Sequence, residues 1–179
     1  MKSNIIWALL LLFLTACSTA PQPAVNPQVE AIEKIRPVLG LPDLPLEFVE
    51  ETGMVNSPDG KWMVAMYKDG DGRKYFVEVE TNQVVEVDGR DLLLKDITID
   101  NTVTEDDLRV RAEKIANETL ANFLSLQPKL TYEEGQKGDN YFFMWRDDYS
   151  PPSFNRPFLQ LAFLKNGQLF AYYNTLFSR

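Results

Sequence analysis

A hairpin signal near the carboxyl end of the chain most limits what this sequence can fold into. Two largely apolar runs, Phe158–Leu164 and Gln168–Asn174, flank the short polar segment 165–167, which contains Asn-Gly. Asn-Gly is favoured in the tight turn between antiparallel strands, because that turn requires positive φ angles. The pattern predicts an antiparallel hairpin. The aromatic run Tyr141–Arg146 predicts a further strand before it, and Lys129–Glu134 predicts a weaker one.

A helix is predicted directly before these strands. Thr104 is followed by three acidic residues, a combination that suits a helix N-cap and the positive end of a helix dipole. Apolar residues then recur at helical spacing to about Leu126, and Pro128 follows. The predicted apolar face consists of Leu108, Ala112, Ile115, Ala116, Leu120, Phe123 and Leu124.

The first half of the chain repeats the order of a helix followed by strands. Asn26 and Pro27 predict an N-cap and the first residue of a helix, and Pro37 and Gly40 predict its end. Turn sequences separate the apolar runs that follow. The predicted strands are Leu46–Glu51, Lys61–Lys68, Lys74–Glu80 and Gln83–Val87, with a further short candidate at Asp96–Ile99.

The sequence therefore predicts an α+β fold made of two tandem units, each a helix plus an antiparallel meander of the α-β-β-β type. One larger sheet with two helices is the alternative. The two halves also share local sequence, since Lys61–Asp69 resembles Asn140–Asp147. We expect the first unit at residues 28–88, a connector at 89–103 and the second unit at 104–179.

The second half resembles the PepSY and PepSY-like (YcdB/YcdC-like) domains of bacterial envelope proteins. The similar stretch is the strand segment 143–146 (FMWR) followed by the hairpin at Phe158–Tyr173. The resemblance covers about residues 104–176, with 28–88 as a less similar first copy. It implies a helix packed on a meander, and a role in peptidase regulation or envelope interactions without a catalytic centre.

The first residues have the pattern of an export signal. Lys2 precedes the uninterrupted apolar run Ile5–Leu14. A membrane-spanning helix needs about 20 apolar residues, whereas the apolar core of a secretory signal needs about 7–15. The run therefore predicts a signal peptide over residues 1–16, and the Pro-rich residues 17–27 are expected to form a flexible tether.

The tetrapeptide Leu14-Thr15-Ala16-Cys17 resembles the lipobox of bacterial lipoproteins. The resemblance implies that Cys17 becomes the first residue of the mature chain and carries the lipid that holds the protein on a membrane. Ser18 follows Cys17, which in Gram-negative lipoproteins implies an outer-membrane location facing the periplasm. We therefore expect a lipid-anchored protein of the bacterial cell envelope.

The composition argues against most catalytic chemistries. The chain contains no histidine and one cysteine, so Ser-His and Cys-His pairs are impossible, and zinc, copper and haem would lack their usual ligands. Its net charge of −8 disfavours nucleic acid, whose phosphates require clustered basic residues. Asp69 and Asp71 match the first ligand positions of an EF-hand calcium loop. Arg73 stands where a further oxygen ligand is needed and Lys74 where the loop requires glycine, so we favour an exposed hairpin turn at residues 69–72. We expect no cofactor, no metal site and no enzymatic activity.

One segment has the composition of a binding surface. Aromatic and arginine side chains, which are enriched at binding hot spots, surround a Pro-Pro pair in the insert between the last strands. An ordinary loop folded back over the edge of the core is the alternative. The candidate binding residues are Trp145, Arg146, Tyr149, Phe154 and Arg156.

These features predict a non-enzymatic module that binds or regulates an envelope protein or peptide. A structural envelope protein, or a small-ligand carrier with a pocket between helix and sheet, is the alternative.

Overall fold

The computed structural model describes residues 26–54, 57–94, 103–148 and 155–178. Within these ranges the fold is α+β, with three α-helices and one eight-stranded antiparallel sheet. The helices are α1 (Pro27–Leu39), α2 (Glu105–Thr119) and α3 (Phe123–Leu126). The strands are β1 (Leu46–Gly53), β2 (Met63–Asp69), β3 (Lys74–Glu78), β4 (Val84–Asp88), β5 (Thr131–Lys137), β6 (Asn140–Arg146), β7 (Phe158–Leu164) and β8 (Leu169–Asn174).

The strands of both halves join in one sheet, which is larger than the separate α-β-β-β meanders of the favoured prediction and closer to the alternative of one larger sheet. Four strands follow α1 and four follow α3, and all eight join in the order β1-β2-β3-β4-β8-β7-β6-β5. The strands β1 and β5 therefore form the two edges, and β4 pairs with β8 in the middle. Most residues of the two edge strands are exposed, and the sequence predicts β5 only weakly and two residues too early.

The helices α1 and α2 pack on one face of the sheet and bury a single core. That core contains Ile32 of α1, Ile115 of α2, and residues from strands of both halves. A smaller cluster of Met54, Val64 and Val85 lies apart from it, with Trp62 and Phe177 packed against it. Because one core includes both halves, neither half buries its apolar surface alone.

The start of α1 matches the sequence prediction and its end differs. The side chain of Asn26 accepts a hydrogen bond from the Gln28 backbone N–H at 3.0 Å, and Pro27 is the first helical residue. Pro37, which we expected to end the helix, lies inside it. The helix ends at Gly40, whose φ of 68° allows the Leu41 N–H to reach the Arg36 carbonyl at 2.9 Å.

The second helix begins as predicted but ends early. Thr104 accepts a hydrogen bond from the Asp107 N–H at 3.1 Å, which caps α2. The chain turns extended at Leu120 and left-handed at Asn122, where φ is 65°, before α3 begins. This break rotates the apolar face, so that Phe123 is buried while Leu124 is 69% exposed.

The predicted Asn-Gly hairpin between β7 and β8 is confirmed. Gly167 has a φ of 84°, and the Leu164 N–H donates to the Gln168 carbonyl at 2.9 Å. The ladder shifts register between Ala162 and Phe163, which marks a bulge in the pairing with β8. The short strand candidate at Asp96–Ile99 lies outside the described residues.

Candidate functional site

Trp145, the central residue of the predicted binding surface, belongs to the core. It is 1% exposed and lies against Phe123, with ring centroids 5.2 Å apart, and against Tyr132, at 5.3 Å. Neighbouring side chains of a strand point to opposite faces, and Trp145 shares the helix-covered face with Phe143. The proposed role of Trp145 as an exposed anchor is therefore wrong.

Arg146 points the other way and is held by carboxylates. Its Nη2 lies 2.9 Å from Oε1 of Glu133, and its Nε lies 2.8 Å from Oδ1 of Asp148. Arg156 is exposed at the far side of the insert. Three further predicted residues, Tyr149, Phe154 and the lipidation site Cys17, lie outside the described residues.

The described residues at the two ends of the insert form hydrogen bonds with the rest of the domain. The Asn155 side chain donates to the Ser57 carbonyl at 3.0 Å, and the Asn155 backbone N–H donates to the Pro58 carbonyl at 3.1 Å. At its base, the Asp147 N–H donates to the Pro157 carbonyl at 2.9 Å. These contacts place Asn155, at the described end of the insert, on the connection between β1 and β2.

The connections β1–β2, β3–β4 and β6–β7 and the residues after β8 lie at one end of the sheet, which we call the turn end. Three clefts adjoin there. The helix cleft, of about 400 Å³, lies between α1 and the end of α2, with Val84 and Tyr172 among its lining residues. The middle cleft, of about 690 Å³, lies beside the α2–α3 junction. The aromatic cleft, of about 710 Å³, includes Trp62, Met63 and Phe177.

The three clefts lie side by side around the β3–β4 turn and share lining residues. Gln83, Glu118 and Thr119 line both the helix cleft and the middle cleft, while Thr81 and Phe177 line both the middle cleft and the aromatic cleft. We call the combined feature the turn-end groove. Sequence reasoning missed it, because its walls come from segments that only the sheet order brings together.

The turn-end groove has an acidic lining. Among the residues that the structure describes, five acids and two lysines line it: Glu30, Asp59, Glu78, Glu80 and Glu118, with Lys34 and Lys61. The Lys34 ammonium lies 2.5 Å from the Glu30 carboxylate, so these two charges offset each other and the remaining acids outnumber the remaining lysine. The groove therefore favours a cationic occupant over an anionic one.

A cluster of polar side chains lies where β4 pairs with β8, which we call the joint between the halves. The sequence analysis did not predict this cluster. Glu86 and Asp88 of β4 lie beside Arg90, and Tyr173 of β8 is the cross-strand neighbour of Glu86. Burial raises the pKa of the Glu86 carboxyl. Burial also opposes the charge on Asp88, but hydrogen bonds from Arg90 outweigh it and lower the pKa of that carboxyl.

The predicted hairpin turn at residues 69–72 joins β2 to β3, but it is not fully exposed, because Asp69 is buried. Asp69 organises the turn. One Asp69 oxygen accepts backbone hydrogen bonds from Asp71, Gly72 and Arg73 at 3.1, 3.0 and 2.9 Å. The other oxygen accepts from the Tyr75 hydroxyl at 3.0 Å and lies 3.4 Å from the Arg73 guanidinium. Both oxygens of this buried carboxylate therefore already accept hydrogen bonds from the turn and from its neighbour Tyr75. Across the described ranges, no three acidic or cysteine side chains are grouped as metal ligands.

Paired carboxylates are the groups that hydrolyse glycosides, but the two acids within each adjacent pair, 133/134 and 106/107, do not converge on a common site. Glu133 lies 2.9 Å from Arg146, whereas Glu134 lies 3.5 Å from Arg109. Asp107 caps α2 together with Thr104. Each of these carboxylates therefore has a local partner.

Comparison with protein-family models, with curated proteins and with solved structures gives no match to this chain. In the parts of the chain that the structure describes, no helix is both long enough and apolar enough to cross a membrane. The fold and the groove define the class of this molecule as an α+β protein with one helix-covered sheet and an acidic surface groove.

Proposed function

We propose that this protein is a lipid-anchored lipoprotein of the bacterial envelope, and that its folded domain is a non-enzymatic module that binds or regulates a protein or peptide. The turn-end groove is the observation that carries the proposal. Connections at the end of a rigid sheet commonly form binding sites, because the scaffold fixes their positions while their sequences vary freely. Here the β1–β2 and β3–β4 connections, the α2–α3 junction and the residues after β8 meet around one groove.

The lipid anchor is supported by the sequence, through the apolar run before Cys17 and the lipobox-like residues around it. Pro27, the first residue of α1, lines the helix cleft. The tether would therefore join the domain beside the groove. An extended Pro-rich chain spans about 3.1 Å per residue, so residues 17–27 would hold the groove within roughly 30 Å of the membrane.

We also propose that the two halves are tandem PepSY-like units. The order of elements supports this, because a helix precedes four antiparallel strands in each half and the strand order is mirrored about the β4–β8 pair. The segment at 143–146, which carries the resemblance in the sequence, forms part of β6.

Site-specific photocrosslinking in the producing cells tests the binding function. A photoreactive amino acid at the exposed Gln83, on the groove, is compared with one at the exposed Gln136, on the edge strand β5. We expect a discrete adduct with an envelope protein from position 83 and none from position 136, as read by mass spectrometry. The Cys17→Ser variant should lose the adduct, because the unanchored chain leaves the membrane. The absence of any adduct from position 83 above background would refute the binding function.

A small-ligand carrier is the second candidate, and the helix cleft favours it. Its volume of about 400 Å³ and the apolar side chains of Ala31, Ile35 and Val38 suit a small apolar molecule. Mass spectrometry of an organic extract of the purified protein tests this candidate. A ligand that copurifies with the wild type and is lost from Ala31→Trp, which fills the cleft, would favour the carrier over the peptide-binding module.

A further inference from the structure

The aromatic cleft of the turn-end groove has a preformed ring wall. The centroids of Trp62 and Phe177 lie 5.0 Å apart with an angle of 38° between the ring planes. The Trp62 backbone is held on both sides, since its N–H donates to the Ser57 hydroxyl at 3.3 Å and its carbonyl accepts from the Met54 N–H at 2.8 Å. Trp62 is only partly buried, so its indole remains available to an occupant.

Carboxylates surround this wall. Three acids and one lysine line the aromatic cleft: Asp59, Glu78, Glu80 and Lys61. Two of the acids have structural roles, because Asp59 accepts from the Lys61 backbone at 3.0 Å and Glu78 accepts from the Thr81 backbone at 2.7 Å. Glu80 is exposed, and its carboxylate has no hydrogen bond or ion pair to any described residue.

An aromatic face beside carboxylates favours one chemical class of occupant. Tryptophan is the strongest aromatic partner for a cation, and nearby acids add attraction for lysine and arginine side chains. The aromatic cleft adjoins the middle cleft at Thr81, and the middle cleft adjoins the helix cleft at Gln83. The linings of these two neighbours include Leu126, Val84 and Tyr172. A chain that places a basic side chain in the aromatic cleft could extend apolar side chains along the rest of the groove.

We infer that the turn-end groove selects extended peptide segments that combine basic and apolar residues, and that a lysine or arginine of the peptide lies against Trp62 with its charge beside Glu80. This inference rests on the proposed binding function and specifies the partner of the same site. The acidic lining excludes acidic segments, because like charges brought together without water between them repel.

Fluorescence anisotropy tests the inference on the whole chain purified from membranes in a neutral detergent at low salt. The probe is the fluorescein-labelled peptide Gly-Leu-Lys-Val-Lys-Leu-Gly, and its counterpart carries glutamate at both lysine positions. We expect the basic peptide to bind at least about tenfold more tightly than the acidic one. Added salt should weaken the binding of the basic peptide.

Two variants locate the site. Trp62→Leu removes the indole and should weaken binding of the basic peptide about tenfold. Glu80→Lys reverses an exposed charge and should weaken it at least about threefold without affecting folding. Glu113→Lys is the matched control, because Glu113 is exposed on α2, does not line the groove and undergoes the same change of charge.

Equal binding of the two peptides, or equal effects of Glu80→Lys and Glu113→Lys, would overturn the inference. Competition by free lysine as strong as that by the peptide would also overturn it, because the site would then take a small cation. If photocrosslinking at position 83 still captures a partner while the basic peptide fails to bind, the binding function stands and the partner has another chemistry.

Discussion

At the scale of single residues, Glu86 and Asp88 occupy the same strand and respond to opposite influences. Glu86 is largely buried at the joint, and desolvation of its charge raises its pKa despite the hydrogen bond with Tyr173. Asp88 accepts from the Arg90 Nε at 2.8 Å and from the Arg90 backbone N–H at 2.9 Å. These bonds outweigh the cost of burial and lower the pKa of Asp88.

The two shifts predict pH effects of opposite sign. A carboxyl with a raised pKa in the folded state holds its proton more tightly there, so its charge disfavours folding above its ordinary pKa of 4.5. Glu86→Gln should therefore increase the free energy of unfolding at pH 7, and the increase should vanish below the ordinary pKa.

Asp88→Asn should lower the free energy of unfolding at pH 7, because a carboxyl with a lowered pKa stabilises the fold above its ordinary pKa of 3.8. That loss should disappear as the pH falls through the folded-state pKa. Urea denaturation of both variants between pH 3 and 7 measures these effects. Changes of the same sign in the two variants at pH 7 would contradict this assignment.

At the scale of secondary-structure elements, the end of α1 is linked to the second half by one arginine. Arg111 of α2 donates to the Leu39 carbonyl at the end of α1 and to the Gly167 carbonyl in the β7–β8 turn. Its guanidinium also lies 5.4 Å from the centre of the Phe163 ring. The left-handed Gly40 leaves the space that this side chain occupies, since a Cβ at position 40 would lie 2.7 Å from Arg111 Nη2.

Replacement of this glycine should therefore have two costs. Gly40→Ala forces an L-residue into the left-handed region and displaces Arg111, and we expect it to lower the free energy of unfolding by about 1–2 kcal/mol. The matched control is Gly70→Ala, because Gly70 has no positive φ and a Cβ at position 70 would have no neighbour within 4 Å. Chemical denaturation compares the two, and equal stability of both variants would exclude this role for Gly40.

At the scale of the whole molecule, one core and one sheet unite the halves. The β4–β8 joint has three cross-strand pairs, and the buried Tyr172 lies at its centre opposite Val87. Residues of both halves contribute to the same core around it. We therefore expect the described domain to unfold as one cooperative unit despite its repeated order of elements.

Hydrogen exchange followed by mass spectrometry tests this cooperativity. Tyr172→Ala should lower the free energy of opening in β2 and in β7 by the same amount, about 3–5 kcal/mol, because it leaves a cavity that both halves share. Tyr132→Ala, at the 39% exposed edge position, is the control and should have a smaller effect. Loss of protection in β7 alone would indicate two independently folding units.

Several local features of the fold were predictable from sequence. The Asn26 and Thr104 caps, the 158–164 strand and the Asn-Gly turn follow from short-range patterns, because the residues that determine them are close together in the chain. Two features were harder to predict. The strand β5 has only weak apolar alternation, and apolar residues continue at helical spacing past the break at Leu120.

The binding surface was less predictable than the fold. Trp145 and Arg146 are adjacent in sequence, yet one is buried and the other is exposed enough to pair with Glu133 and Asp148. Strand alternation predicts that they diverge, but which of the two faces the core depends on the side that the helices cover. The groove depends on the meeting of segments that are far apart, such as Pro27 with Glu118 and Trp62 with Phe177.

The sequence by itself determined the α+β class, most element starts and the turn chemistry, because those properties arise from dihedral preferences and hydrogen bonds between near neighbours. Only the tertiary structure decided that β4 pairs with β8, that the halves share one core and that an acidic groove surrounds the β3–β4 turn. The physical reason is that these features depend on burial of apolar surface between distant segments, which local patterns do not specify.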